Sequence, residues 1–183
     1  MNLLKIYNQV IDHSGINWYR EGNLWCQRVA DEYDLSLVTV CGIVSALSPA
    51  TNWLQNKRDA INIIERKRRY KCGTYGPNVA KARAILKTGI PQFNVKTGPK
   101  TYNFFYNLLE PDNSAFICID RHAFTIATGE PYVGMTPKRY RDIAEQYRKA
   151  SVKLGLLPNE LQAVLWVDYR HKQNIKFNID VPF

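Results

Sequence analysis

Two runs of sequence organise this chain: Gly98-Pro99-Lys100-Thr101-Tyr102-Asn103-Phe104-Phe105-Tyr106-Asn107-Leu108-Leu109, and then Phe116-Ile117-Cys118-Ile119-Asp120-Arg121-His122-Ala123-Phe124. Proline is well tolerated at the first helical position, so the first run predicts a helix over 99–109. Pro111 and Asn113 lie in a turn over 111–114. Residues 116–119 are an apolar extended run that delivers Asp120 to the head of a short helix. Taken singly, each charged residue has an ordinary explanation. Asp is a common N-cap. Lys100 is a first-turn lysine, slightly disfavoured by the helix dipole. The two together, in this register, are the candidate reacting pair.

Upstream, residues 35–47 are apolar on nearly every face. A buried strand competes there, but the length and the Ser48-Pro49 exit favour a buried helix capped by Asp34 or Ser36. Trp53, Leu54, Ile61 and Ile64 predict a longer helix over 52–70, ending in the basic run 65–71, which reads as a solvated helix end. Val79, Ala82, Ile85 and Leu86 mark a short helix with Lys81, Arg83 and Lys87 on its wet side. Residues 88–98 form a loop. At the N-terminus, Leu3, Ile6, Tyr7, Val10 and Ile11 recur at helical spacing up to His13-Ser14-Gly15, and 24–33 is a second candidate helix. Downstream, Thr136-Pro137 opens a helix to about 154, Asn159 caps the last one, and residues after 172 read as an irregular tail. The pattern is all-α, with about eight helices and no internal repeat.

Composition narrows the partners. The chain has 183 residues, 25 Lys and Arg against 16 Asp and Glu, and a net charge of +9. That balance favours a polyanion, nucleic acid first and an acidic membrane surface second. Cys26, Cys41, Cys72 and Cys118 have no CxxC spacing, so they predict neither a zinc site nor a disulfide framework. No apolar stretch is long enough to span a bilayer, and no signal peptide is evident. The expectation is a soluble, cytoplasmic protein of a bacterial or phage-infected cell, acting as a monomer without cofactor or metal.

At this point the chain resembles the helix-hairpin-helix DNA glycosylase superfamily of endonuclease III and adenine glycosylase. That family carries a hairpin ending Gly-x-Lys-Thr-Ala-Asn, then apolar residues and Asp-Thr-His before an apolar helix. Val44-Ser45-Ala46-Leu47-Ser48-Pro49-Ala50-Thr51 is similar to its Leu-Ser-Ala-Gln-Ala-Thr segment. Residues 56–60 match the Asn-Lys-Ala that follows, and 78–85 match a helix with Lys-Ala-x-x-Ile. The likeness spans roughly residues 36–127.

The resemblance implies two helical lobes, one over 32–120 and the other from 1–31 with 121–183, enclosing an active-site groove. It places Lys100 on the family's nucleophile and Asp120 on its catalytic aspartate, with His122 and Arg121 in support. A fixed carboxylate stabilises the cation that develops on a sugar losing its base. An amine attacking the sugar carbon forms a Schiff base and opens the way to strand cleavage. An exposed lysine titrates near ~10.4, so Lys100 needs burial or cationic neighbours, for which Lys96 and Arg121 are candidates. Lys96, Thr97, Gly98 and Thr101 would grip a phosphate at the hairpin. Lys57, Arg58, Lys81, Arg83, Ser48 and Arg170 are further DNA-contact candidates.

There are departures from the family. The hairpin lacks one glycine of Leu-Pro-Gly-x-Gly, Arg121 replaces a threonine, the intercalating Gln is absent, and no iron–sulfur loop follows. Two other functions therefore stand beside base excision. One is hypermodification of phage DNA by substitution at an activated thymine, as proposed for proteins resembling this superfamily. The other is a non-catalytic DNA-binding module. His122 and Trp166 read as structural, with Trp166 in the core. Tyr102, Phe105 and Tyr106 read as packing, and Trp18, Tyr19 and Trp25 as the join between lobes.

Overall fold

The computed structural model describes residues 2–66 and 70–173. Among them are nine α-helices, one 3₁₀ turn and no strand. These are α1 (Leu3–Tyr7), the turn Ser14–Asn17, α2 (Trp18–Glu32), α3 (Leu37–Leu47), α4 (Trp53–Ile64), α5 (Gly76–Thr88), α6 (Pro99–Leu109), α7 (Arg121–Thr128), α8 (Pro137–Leu154) and α9 (Pro158–Lys172). The all-α expectation holds. No helix among the described residues is long and apolar enough to cross a membrane.

α3 is the central post. The Ser36 hydroxyl accepts from Thr39 N at 3.1 Å and starts the helix, satisfying one of its orphan amides. Every residue from Thr39 to Leu47 is buried, because α2, α4, α5 and α6 all pack on it. A Cβ at Gly42 would stand 2.5 Å from Pro91 Cγ and 3.1 Å from Ile85 Cγ2. Only glycine lets α5 and its following loop approach this closely.

The apolar side chains form two clusters. The first takes its buried residues mainly from α2 to α6. The second unites α1, Ile117, Ile119, α7, α8 and α9. α9 stands between them: Ala163 belongs to the first cluster and Val164 and Leu165 to the second. Gly15 sets that seam, since a Cβ there would lie 2.9 Å from Ala163 O and Val164 Cα. Tyr19 OH donates to Gln162 Oε1 at 2.9 Å, and Arg20 bridges Asp112 and Glu160 at 2.7 Å each. Tyr19, Cys26, Val29 and Ala30 of α2 pack in the first cluster, because the apolar face of α2 meets α3 and α6.

Some element ends also differ from expectation. α1 stops at Tyr7, and Ile11 is 95% exposed. α4 stops at Ile64, where Arg66 adopts φ +56° and turns the chain out of the helix. Of the basic run, 67–69 lie outside the described residues, as do 174–183 of the expected tail. Asn159 does not cap α9. Glu160 does so, its carboxylate accepting from Leu157 N at 2.7 Å, while Asn159 Nδ2 donates to Pro111 O.

Buried Asp59 of α4 accepts from Gln55 Nε2, Tyr70 OH and Gly73 N at 2.7 to 2.9 Å. Thr74 Oγ1 donates to Pro49 O at 2.6 Å. Together these bonds fix the loop that leads to Tyr75.

Candidate active site

Asn103 and Asn107, one turn apart on α6, act as a edge for the extended run 116–119. Asn103 Oδ1 accepts from Ile117 N at 3.2 Å, and its Nδ2 donates to Pro99 O at 2.8 Å. Asn107 donates to Phe116 O at 3.1 Å and accepts from Cys118 N at 3.3 Å. From the other side, Tyr140 OH donates to Ile117 O at 2.7 Å and accepts from Ile119 N at 3.1 Å. Cys118 Sγ donates weakly to Lys100 O at 3.6 Å. The backbone polar groups of this buried run are thus satisfied by side chains rather than by a sheet. The same bonds bring the first turn of α6 beside the head of α7, and so Lys100 beside the segment that ends in Asp120.

Asp120 is the N-cap of α7. Its Oδ1 accepts from His122 N at 2.9 Å and Ala123 N at 2.8 Å. The capping role that Asp usually has is therefore real here. Its Oδ2 does something a cap does not require: it accepts from Trp166 Nε1 at 3.1 Å. Lys100, on the first turn of α6, is exposed. No ion pair joins the two. Both line one cavity of about 840 Å³, together with Arg121, His122, Trp166 and Arg170.

Burial pushes the His122 imidazole below its ordinary pKa; Asp120 opposes this, while Arg121, Arg170 and Lys100 add to it. His122 is therefore mostly neutral at neutral pH. Burial also pushes the Cys118 thiol up to about 12, which leaves it protonated and a poor nucleophile. Desolvation lowers the pKa of the Arg170 guanidinium, which lies 5.4 Å over the Trp166 ring. No group of three His, Cys, Asp or Glu among the described residues is arranged to hold a metal ion.

Of the other expected site residues, Ser48, Thr97 and Gly98 line the cavity, whereas Lys96, Thr101, Lys57, Arg58, Lys81 and Arg83 stand outside it. Lys57 lies 5.8 Å over the Trp53 ring, and Lys81 5.7 Å over Phe93. Arg58, Arg83 and Lys96 are exposed. The loop before α6 closes through Gly98 N donating to Asn94 O and Lys96 N to Asn94 Oδ1, both at 2.8 Å. Gly98 provides no capping side chain for α6.

Trp166, read from sequence as core, is a wall of the cavity. Its spacing carries a signal: it sits one turn before Arg170, a DNA-contact candidate, so both share a helix face. Trp18 is a second wall residue, with its ring 6.4 Å from Trp166, 5.1 Å from Trp53 and 6.0 Å from Phe104. Glu21, Trp53 and Asn56 also line the cavity; Asn56 opens the matched run 56–60, while nothing in the local sequence marks Glu21 or Trp53 for the site.

The chain belongs to the family described as Family of unknown function (DUF7178), whose model matches residues 2–173. No curated protein and no solved structure matches it.

Proposed function

We propose that this chain is a DNA glycosylase that releases a base from DNA through Asp120, with a lyase step at Lys100. The observation that carries this reading is the shared cavity, in which a carboxylate held by three N–H donors stands with a lysine from the neighbouring helix. A carboxylate fixed before the reaction needs no reorganisation as positive charge grows on the sugar, which is the condition for strong electrostatic catalysis. In the lyase step the Lys100 amine, in its unprotonated form, bonds to the sugar C1′ as the bond to the base breaks. The base departs with the electron pair and takes up a proton. The C1′–O4′ bond of this N,O-acetal then breaks, O4′ takes up a proton as the nitrogen gives one up, and the ring-opened imine links protein and DNA.

The two hydrophobic clusters are read as the two lobes, and α5, the loop 89–98 and α6 as the helix-hairpin-helix. Main-chain amides at the start of α6, with no capping side chain from Gly98, suit a phosphate there. Net charge +9 supports DNA as the partner, and the monomer is the working unit.

The test is base release and borohydride trapping on a panel of oligonucleotides with damaged, modified or abasic positions, using Asp120→Asn and Lys100→Gln as controls. Release that requires Asp120, and a covalent adduct that requires Lys100, support the reading. Activity confined to a pyrophosphorylated base would replace excision with substitution. Salt-dependent binding with a slope of about −0.9 per phosphate but no turnover on any substrate would leave only a DNA-binding module.

A further inference from the structure

Glu21 Oε2, Trp53 Nε1 and Asn56 Oδ1 are buried, belong to residues that line the same cavity, and have no hydrogen-bond partner among the described residues. Asn56 is only 2% exposed. Trp53 and Asn56 lie one turn apart on α4. Trp18, Glu21 and Trp25 share one face of α2, and the Trp53 ring lies 5.1 Å from Trp18 and 5.8 Å from Trp25. Glu21 therefore lies on the α2 face that Trp53 covers. Burial there raises its pKa. Buried polar groups almost always find partners, and orphans mark places where something else completes the bonding. Three of them beside an aromatic wall describe a recess for a flat, polar-edged molecule.

The recess has a direction. Trp18 stands between it and Asp120, with its ring against Trp53 on one side and against Trp166, which holds Asp120, on the other. Trp18, Asp120, Glu21, Trp53 and Asn56 all line the one cavity, so a heterocycle stacked on Trp18 can turn one end toward Asp120 and the other toward Glu21, Trp53 and Asn56. Base-extruding enzymes read the flipped base by its edge hydrogen bonds and by stacking.

We propose that Glu21, Trp53 and Asn56 form the subsite that reads the far edge of a nucleobase drawn into the cavity, and that this base carries an exocyclic amino group beside an unprotonated ring nitrogen, as adenine and cytosine do. The donor count decides the class. With Glu21 as its carboxylate, Glu21 and Asn56 Oδ1 are two acceptors, and Trp53 Nε1 is one donor. An amino group supplies two donors and the adjacent ring nitrogen one acceptor. The imide edge of thymine or uracil supplies one donor between two acceptors and leaves a buried carboxylate facing a carbonyl, which a binding site penalises. This assignment rests on the glycosylase reading only for how the base reaches the cavity.

The experiment titrates the full chain with deoxyadenosine, deoxycytidine, thymidine and deoxyuridine by calorimetry at pH 7.5. Glu21→Gln, Trp53→Phe and Asn56→Leu are each checked for cooperative melting. The expected result is binding of deoxyadenosine or deoxycytidine about tenfold or more tighter than thymidine and deoxyuridine, with each variant losing about tenfold. No binding, equal binding, preference for thymidine, or folded variants that bind like the unsubstituted chain would overturn the assignment. Base release from oligonucleotides is measured alongside. Release with unchanged base preference in all three variants removes the recess and keeps the glycosylase. Selective nucleoside binding with no release from DNA keeps the recess and removes the glycosylase.

Discussion

The indole N–H of Trp166 on α9 donates to Oδ2 of Asp120 at 3.1 Å, across 46 positions of sequence. With Oδ1 already taken by two amides of α7, the carboxylate is fixed in plane and direction. On the proposed reading Trp166 is a positioning residue. Trp166→Phe keeps the ring and removes the donor. Single-turnover base release should fall about ten- to a hundredfold, while the Kd for DNA stays unchanged. An equal loss in both, or in neither, argues that the indole serves packing alone.

Capping and chemistry can be separated at Asp120. Asp120→Asn and Asp120→Ser keep a cap oxygen but lose the acceptor of the Trp166 indole, so they should cost only about 0.5–1.5 kcal/mol while losing base release by about 10²–10³-fold. Asp120→Ala, which also loses the cap, should cost about 0.5–2 kcal/mol more. Urea melts of the three variants beside their single-turnover rates make the comparison. If Asp120→Asn released base at the parental rate, Asp120 would be a cap and nothing more.

Lys100 is exposed, so Lys100→Gln should change stability by less than about 0.5 kcal/mol and abolish the borohydride adduct. If Asp120-dependent base release persists in that variant, the enzyme uses water for excision and Lys100 for strand cleavage only. An adduct that survives in Lys100→Gln assigns the amine to another residue.

Tyr140 staples the run 116–119 to α6 through Ile117 O and Ile119 N. Tyr140→Phe leaves both buried groups without that hydroxyl and should cost about 1–3 kcal/mol, a fall in Tm of about 2–8 °C. Because this run carries Asp120, base release should drop further than the loss of folded protein explains.

His122 tests the electrostatics. Burial depresses its folded-state pKa, so the unfolded chain binds the extra proton first as pH falls. The resulting stability is present above the unfolded imidazole value, near ~6.5, and is lost as pH drops through the lower folded value. A proton NMR titration should place the His122 C2–H midpoint below the ordinary imidazole value of ~6.5. His122→Gln should flatten the stability–pH curve on that acid side. A midpoint at or above the ordinary value would contradict the burial argument.

Much of the scaffold was legible in the linear chain, because helix starts and stops are local. The helix 99–109 follows from Gly98-Pro99, and Ser36 and Thr136 cap α3 and α8 at the positions their side chains suggest. The ends of α1 and α4 were not legible. Ile11 looks apolar in register but finds no neighbour to bury it, and nothing around Arg66 announces a left-handed turn.

Sequence by itself determined an all-helical, basic chain with a lysine and an aspartate at the heads of two helices, since caps, prolines and charge balance act within a few residues. Only the tertiary structure decided that α9 crosses the seam between two apolar clusters and turns Trp166 onto Asp120, and that Glu21, Trp53 and Asn56 line the same cavity as Trp18. Those relationships join residues from separate helices, and their geometry is set by how α2, α4, α7 and α9 pack, which no local pattern encodes.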